Sequence, residues 1–200
     1  MRTGVMITGA VFIALWMSGC SSLKFIEKDT NEGHVRYTVK KGPFSNDSIP
    51  HGTYTVWHPN GAKKMESQYK NGEKDGIEVL WDPFGIKLRE TIYKKGKKEG
   101  KEMYWNNRGV KRKEVFYSED QKNGVEITYH ENGNKSKEEL YNKGIKEGLE
   151  IGYDESGRKV FEVIYRDGKK HGKEIFYEYD SSSDKPSVTE IRWENGEVVQ

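Results

Sequence analysis

The chain has little of three things that often indicate a function: cysteine, an excess of one charge, and apolar residues. A single cysteine, Cys20, excludes an internal disulfide bond. Lysine and arginine number 34 against 32 aspartate and glutamate. Because a nucleic-acid-binding surface needs clustered basic side chains that follow phosphates, this balance gives no reason to propose nucleic acid as a partner.

Apolar residues make up 33% of the chain and charged residues another 33%, which is lean for a globular core. Aromatic residues reach 12%, which argues against disorder because disordered segments are poor in aromatic side chains. These fractions favour a thin, repeating sheet.

The one long apolar run covers residues 5–16. It is shorter than the roughly 20 residues that cross a bilayer, so it predicts a secretory signal and not a permanent span. Ser18, Gly19 and Cys20 follow it and resemble the lipobox of bacterial lipoproteins, in which the cysteine is acylated, by palmitate among other chains, and becomes the new N-terminus. Met17 stands where leucine is usual, and the alternative is an ordinary signal peptide with an incidental cysteine.

This resemblance implies a lipoprotein signal peptide over residues 1–19 and a lipidated Cys20 with a short tether over residues 20–33. The next residue is Ser21. An aspartate at this position would resemble the inner-membrane retention signal of enterobacterial lipoproteins. We therefore expect a lipid-anchored envelope protein, in the outer membrane rather than the inner one.

A phrase of eight residues, such as Tyr-Arg-Asp-Gly-Lys-Lys-His-Gly at 165–172, recurs along the chain at a spacing of 24 residues. The glycines that end the phrase and keep this spacing are Gly52, Gly76, Gly100, Gly124, Gly148 and Gly172. A fixed period of this length is typical of repeat arrays, in which each repeat buries its surface against its neighbours.

Each repeat is predicted to form one β-hairpin. A short apolar and aromatic strand ends in a turn such as Pro59-Asn60-Gly61, and glycine and asparagine supply the positive φ that tight turns need. Asp120 replaces the inner glycine of one phrase, an exchange that aspartate tolerates better than most residues. The predicted array covers residues 52–200, with repeats starting at 52, 76, 100, 124, 148 and 172, after a degenerate N-terminal cap at 34–51. The sixth repeat is four residues longer between its two strands.

Strand alternation places two kinds of residue on opposite faces. One face of the outgoing strands carries aromatic residues, namely Trp57, Trp81, Trp105, Tyr129 and Tyr153, and the other carries glutamates. In the return strands, alternation places the lysines that begin them, such as Lys111, on the side of the tyrosines that end them, such as Tyr117. The pairing of faces between strands depends on turn register, which the sequence leaves open.

The recurring Tyr-x-x-Gly-Lys-x-x-Gly phrase, with an aromatic strand and a later Lys-x-x-Glu, resembles the bacterial variant of the MORN repeat. Proteins of this kind are often named YwqK-type antitoxins. The resemblance covers residues 52–196 and implies an all-β fold, an elongated single-layer antiparallel β-meander of tandem 24-residue hairpins.

Enzyme and cofactor chemistry find little support in the residues. His58 and His130 share a turn position, but they lie three repeats apart, roughly 29 Å, which is too far for one metal ion. Each glutamate column repeats once per repeat, whereas acid–base catalysis needs two carboxyls in different environments. We expect no catalytic residue, no metal and no cofactor.

The aromatic column is the remaining candidate site. It either holds the sheet together or lines a surface on which Trp57, Trp81, Trp105, Tyr129 and Tyr153 bind a partner. The favoured function is a membrane-anchored scaffold for an envelope protein. The alternatives are an antitoxin or immunity-like protein that neutralises an envelope-acting toxin, and a protein that binds phospholipid head groups, which the near-neutral charge weakens.

Overall fold

The described residues form one antiparallel β-sheet in which strand order follows the chain. The computed structural model describes residues 23–30, 33–41, 48–180 and 185–199. No helix long and apolar enough to cross a membrane occurs in these ranges. The all-β fold of tandem hairpins is confirmed. Its strands are β1 Lys24–Thr30, β2 Gly33–Lys41, β3 Ser48–Trp57, β4 Lys63–Lys70, β5 Glu73–Trp81, β6 Lys87–Lys94, β7 Lys97–Trp105, β8 Lys111–Ser118, β9 Gln121–Tyr129, β10 Lys135–Asn142, β11 Ile145–Tyr153, β12 Lys159–Arg166, β13 Lys169–Glu178, β14 Ser187–Glu194 and β15 Glu197–Val199.

The strands divide into two compact units. The N-terminal unit extends to Leu88 and also contains Tyr93–Gly96, and the C-terminal unit contains Arg89–Ile92 and the chain from Lys97 onwards. Each unit is a series of hairpins, so contacts are made mainly between strands that follow one another in sequence.

The turns between repeats use two successive residues with positive φ. Lys143 and Gly144, for example, have φ of 47° and 84°, and the Gly144 amide donates to the carbonyl of Lys122 in the preceding repeat at 2.8 Å. Asp120 takes the place of such a glycine with φ of 66°, and its carboxylate accepts from the Lys98 amide at 2.8 Å. The prediction that aspartate can replace glycine here is confirmed, and the added hydrogen bond gives a reason.

An extra residue in the return strands β4, β8, β10 and β12 changes which side chains share a face. Tyr104 lies opposite Lys113, but Trp105 lies opposite Lys111, so Arg112 is unpaired in the ladder. Such a bulge shifts the alternation by one residue. Lys111 therefore lies on the face opposite to Tyr117, and the expectation that they share a face is wrong.

The segment predicted as a tether contains a strand. Lys24–Thr30 forms β1, which pairs along its whole length with β2, for example Ile26 opposite Tyr37. Ordinary ladder hydrogen bonds therefore order this polar segment even though it has few apolar residues. Cys20 and the predicted signal peptide lie outside the described residues.

Candidate protein-binding surface

The two faces of the C-terminal unit differ in which strands supply their glutamates. Face A carries the glutamates of the outgoing strands, namely Glu102, Glu126, Glu150 and Glu174, and face B carries those of the return strands, namely Glu114, Glu138 and Glu162. Face B also carries the aromatic residues Trp105, Tyr129, Tyr153 and Tyr177. Both faces therefore repeat a pattern of lysine, glutamate and aromatic ring.

On face A the glutamates are buried together with Val115 and Val163. Glu102 is completely buried, and Lys98 Nζ donates to its two carboxylate oxygens at 2.8 and 2.9 Å. The same ammonium lies 4.7 Å from the centre of the Tyr117 ring, so lysine and tyrosine together cover the carboxylate. In the last repeat Trp193 takes the position that tyrosine has in the others, and its Nε1 donates to Glu174 at 2.8 Å.

These contacts keep the buried carboxylates ionised. Burial opposes ionisation of Glu102, but hydrogen bonds from Lys98, Tyr104 and Thr91 outweigh it and lower its pKa. Strand alternation predicts that these glutamates share one face, but it does not indicate that they are buried. Charged residues are rarely buried unless they are paired, so composition alone suggests an exposed position.

The lowered pKa values of the glutamates predict how the stability of the fold depends on pH. Hydrogen bonds from lysine and tyrosine lower the pKa of Glu138 and Glu162. Burial raises the pKa of Glu102, Glu114 and Glu139, but hydrogen bonds outweigh burial and the pKa of each is lowered. Carboxylates whose folded pKa is depressed contribute stability above the unfolded value, near 4.5, and lose it as the pH falls through the folded pKa.

We therefore expect the melting temperature to be nearly constant from about pH 7 to 5 and to fall steeply below about pH 4.5. Circular dichroism melts at unit pH steps measure this, with recovery on return to pH 7 as the control against aggregation. A melting temperature that is unchanged at pH 3 would contradict the proposed role of the ionised glutamates.

On face B, two of the predicted binding residues are held by carboxylates. Tyr129 Oη donates to Glu114 at 3.1 Å, and Tyr153 Oη donates to Glu138 at 3.0 Å. Burial, with the neighbouring carboxylate, raises the pKa of each tyrosine to about 12. Both rings are half-buried, so their hydroxyls contribute to the sheet and only part of each ring faces solvent.

The three tryptophans of the predicted site differ in their surroundings. In the N-terminal unit, the centres of the Trp57 and His34 rings lie 5.3 Å apart. Trp57 also lines an open pocket of about 630 Å³. Trp81, in the same unit, has the Lys63 ammonium 5.8 Å from its ring centre. Trp105 belongs to the C-terminal unit, and all three are half-buried.

Face B also carries a row of exposed apolar side chains that the sequence pattern did not predict as a site. This apolar patch consists of Phe116, Val125, Leu140, Leu149 and Ile164, one from each of β8 to β12, and each is between 36% and 45% exposed. The signal lies in the residue after the repeat glycine, which is Val125 and Leu149 in two repeats but Lys101 and Lys173 in the repeats on either side.

Histidine side chains at the turns make hydrogen bonds to the backbone. His58 Nε2 donates to the carbonyl of Trp81 at 3.0 Å, and His130 Nε2 donates to that of Tyr153 at 2.8 Å, each one repeat further along the chain. Within the described ranges, no group of three or more His, Cys, Asp or Glu side chains could hold a metal ion. These two histidines therefore connect successive repeats.

One repeat is thus a hairpin that brings a Lys–Glu–aromatic set to each face. Residues 50–71 and 122–143 match the MORN repeat variant. The second of these MORN-type segments begins at Lys122 and includes the Glu126 and Glu138 sets together with Leu140. The segments start 72 residues apart (122 − 50), which is three periods of 24, so both are in phase with the array. No curated protein matches the chain.

Proposed function

We propose that this chain is a bacterial lipoprotein, anchored to the envelope by acylated Cys20, whose MORN-type array binds a partner protein through face B. The apolar patch is the observation that supports binding, because monomeric proteins rarely leave a contiguous row of large apolar side chains in water without a use for it. The tyrosine hydroxyls of the same face are already occupied by glutamates. The apolar patch therefore exposes apolar side chains to a partner, whereas the aromatic residues of face B expose only part of each ring.

Support for the anchor comes from the apolar run at 5–16 and the Ser18-Gly19-Cys20 sequence that follows it. Two or more acyl chains on one residue attach a protein lastingly, since each buried CH₂ contributes roughly 0.8 kcal/mol. Ser21 supports the outer membrane over the inner membrane. A partner in the same envelope would meet the array at the membrane surface.

One experiment addresses both parts. A tagged chain is expressed in its native cells, the cells are fractionated, and proteins bound to the chain are recovered from detergent-solubilised membranes. Cys20→Ser is expected to leave the chain uncleaved or to release it from the membrane. The double variant Leu140→Ser, Leu149→Ser is expected to stay in the membrane and to lose most of the bound partner, at least about 10-fold, because apolar anchors carry much of an interface.

Val188→Ser is the matched control, since Val188 in β14 is an exposed apolar residue outside the patch. Trp81→Phe and Trp105→Phe test the aromatic positions in the same way. A Cys20→Ser chain that matures to the parent size and stays in the membrane would refute the lipid anchor. Undiminished partner recovery with the double variant would refute binding through the patch.

A further inference from the structure

The apolar patch is a single row that crosses the strands instead of following one. Val125 lies directly opposite Leu140, and Leu149 lies directly opposite Ile164. Strands in a sheet are about 4.8 Å apart, so five successive strands give a row of roughly 19 Å with one side chain at each step. The surface therefore repeats at the strand spacing.

Cationic side chains continue the row at both ends. Lys101 lies opposite Phe116 at one end, with its ammonium 5.3 Å from the centre of the ring. Lys173 and Arg192 lie opposite each other beyond Ile164 at the other end. The patch is thus an apolar segment with positive charge on either side.

These cations can accept a further carboxylate. Lys101 is paired with Glu114 at 3.2 Å and Lys173 with Glu190 at 2.7 Å, and both lysines are partly exposed. An ammonium has three donors, so one ion pair leaves others available. Arg192 is exposed in β14 and adds a planar group that suits carboxylates.

The spacing of the row decides between kinds of occupant. Successive turns of an α-helix rise about 5.4 Å, close to the strand spacing of about 4.8 Å, whereas side chains on one face of a strand recur at about 6.7 Å. A helix lying along the row can therefore place one apolar side chain per strand. A second copy of this face, related by a two-fold axis at the centre of the patch, would bring Lys101 towards Lys173 and Arg192, and like charges would oppose it.

Resting on the proposed function, we propose that the apolar patch binds an amphipathic helix of the partner protein, about 13 residues over the patch, with carboxylates near both ends. The apolar side chains of the helix lie against Phe116, Leu140 and Ile164 and their neighbours. Its carboxylates face Lys101 at one end and Lys173 and Arg192 at the other. The apolar row supplies affinity and the flanking cations set position and specificity.

The test uses synthetic peptides and the detergent-solubilised full chain. The probe is an 18-residue helical peptide with leucines on one face and glutamates at both ends. Its comparisons carry lysines at both ends, or alternate leucines in a strand pattern. We expect the glutamate-ended helix to bind at least about 5-fold more tightly than either comparison in a fluorescence anisotropy titration.

Leu140→Ser and Arg192→Glu separate apolar from charged contributions, with Val188→Ser as the control. Leu140→Ser is expected to weaken binding of the glutamate-ended peptide about 10-fold, and Val188→Ser less than about 2-fold. Arg192→Glu should weaken the glutamate-ended peptide and strengthen the lysine-ended one, a reversal that loss of folding cannot produce. Equal binding of all three peptides, or indifference to Leu140→Ser, would overturn the proposal.

A photo-crosslinking residue in place of Leu149, used in the native cells, distinguishes this inference from the function on which it rests. Capture of a helical segment with acidic ends supports both. Capture of a protein through an extended segment or a loop overturns the helix and leaves protein binding intact. Capture of lipid alone would overturn protein binding by this face.

Discussion

Gly76→Ala is expected to destabilise the chain by about 3 kcal/mol, and Gly85→Ala by about 1 kcal/mol. Both glycines belong to the same repeat and have positive φ, 122° and 84°. A Cβ on Gly76 would lie 2.9 Å from the Cβ of Gln68, whereas a Cβ on Gly85 would meet nothing within 4 Å. The two variants share backbone strain, and only the first adds a steric conflict with the neighbouring strand.

Thermal or chemical unfolding of the two variants gives the measurement. For a chain of this size, 1 kcal/mol corresponds to a shift of roughly 2–4 °C in melting temperature, so the expected losses are well separated. Equal losses would mean that positive φ alone requires glycine at position 76. A larger loss for Gly76→Ala would show that the close approach of Gln68, in addition to positive φ, requires glycine at position 76.

Deletion of residues 100–123, one whole period, is expected to leave a cooperatively folded array with a melting temperature lower by only several degrees. Gly124 then takes the place of Gly100, and Lys98 meets Glu126 as it now meets Glu102, so both faces keep their pattern. In repeat arrays stability is approximately a sum over repeats and their interfaces, and shortening the array removes one term.

Deletion of residues 100–111, half a period, is the matched comparison. It fuses the start of an outgoing strand to a return strand, so a return strand stands where an outgoing strand belongs and the strands that follow lose their register. We expect loss of the cooperative transition in circular dichroism melts. Equal damage from the two deletions would contradict the view that the 24-residue hairpin is the unit of folding.

The local part of the architecture could be predicted from the sequence because it depends on residues close together in the chain. The glycines at a spacing of 24 and the turn residues such as Asn60-Gly61 were sufficient to predict tandem hairpins. Alternation correctly placed Glu126 on one face and Tyr129 on the other. These features follow from φ preferences and from the two-residue period of a strand.

The candidate site was only partly predictable. The aromatic column predicts Trp105, Tyr129 and Tyr153 as binding residues, and they share face B with the apolar patch. The tyrosine hydroxyls are nevertheless occupied by glutamates from another strand, and the exposed side chains are those of Leu140, Leu149 and their neighbours. Exposure depends on what covers a residue across strands, which spacing along the chain does not specify.

The sequence by itself determined the period, the hairpins and the residues available to each strand face. Only the tertiary structure decided which faces combine, because the extra residue at Arg112, with its equivalents in β4, β10 and β12, shifts the alternation within the return strand. That shift separates Lys111 from Tyr117 and brings it to Glu114, while Lys98 reaches Glu102 under the tyrosine. The result is a sheet whose largest fully buried side chains are the ion-paired Glu78 and Glu102 and whose exposed row is apolar. Composition points the opposite way because burial of a charge depends on the partners that register supplies.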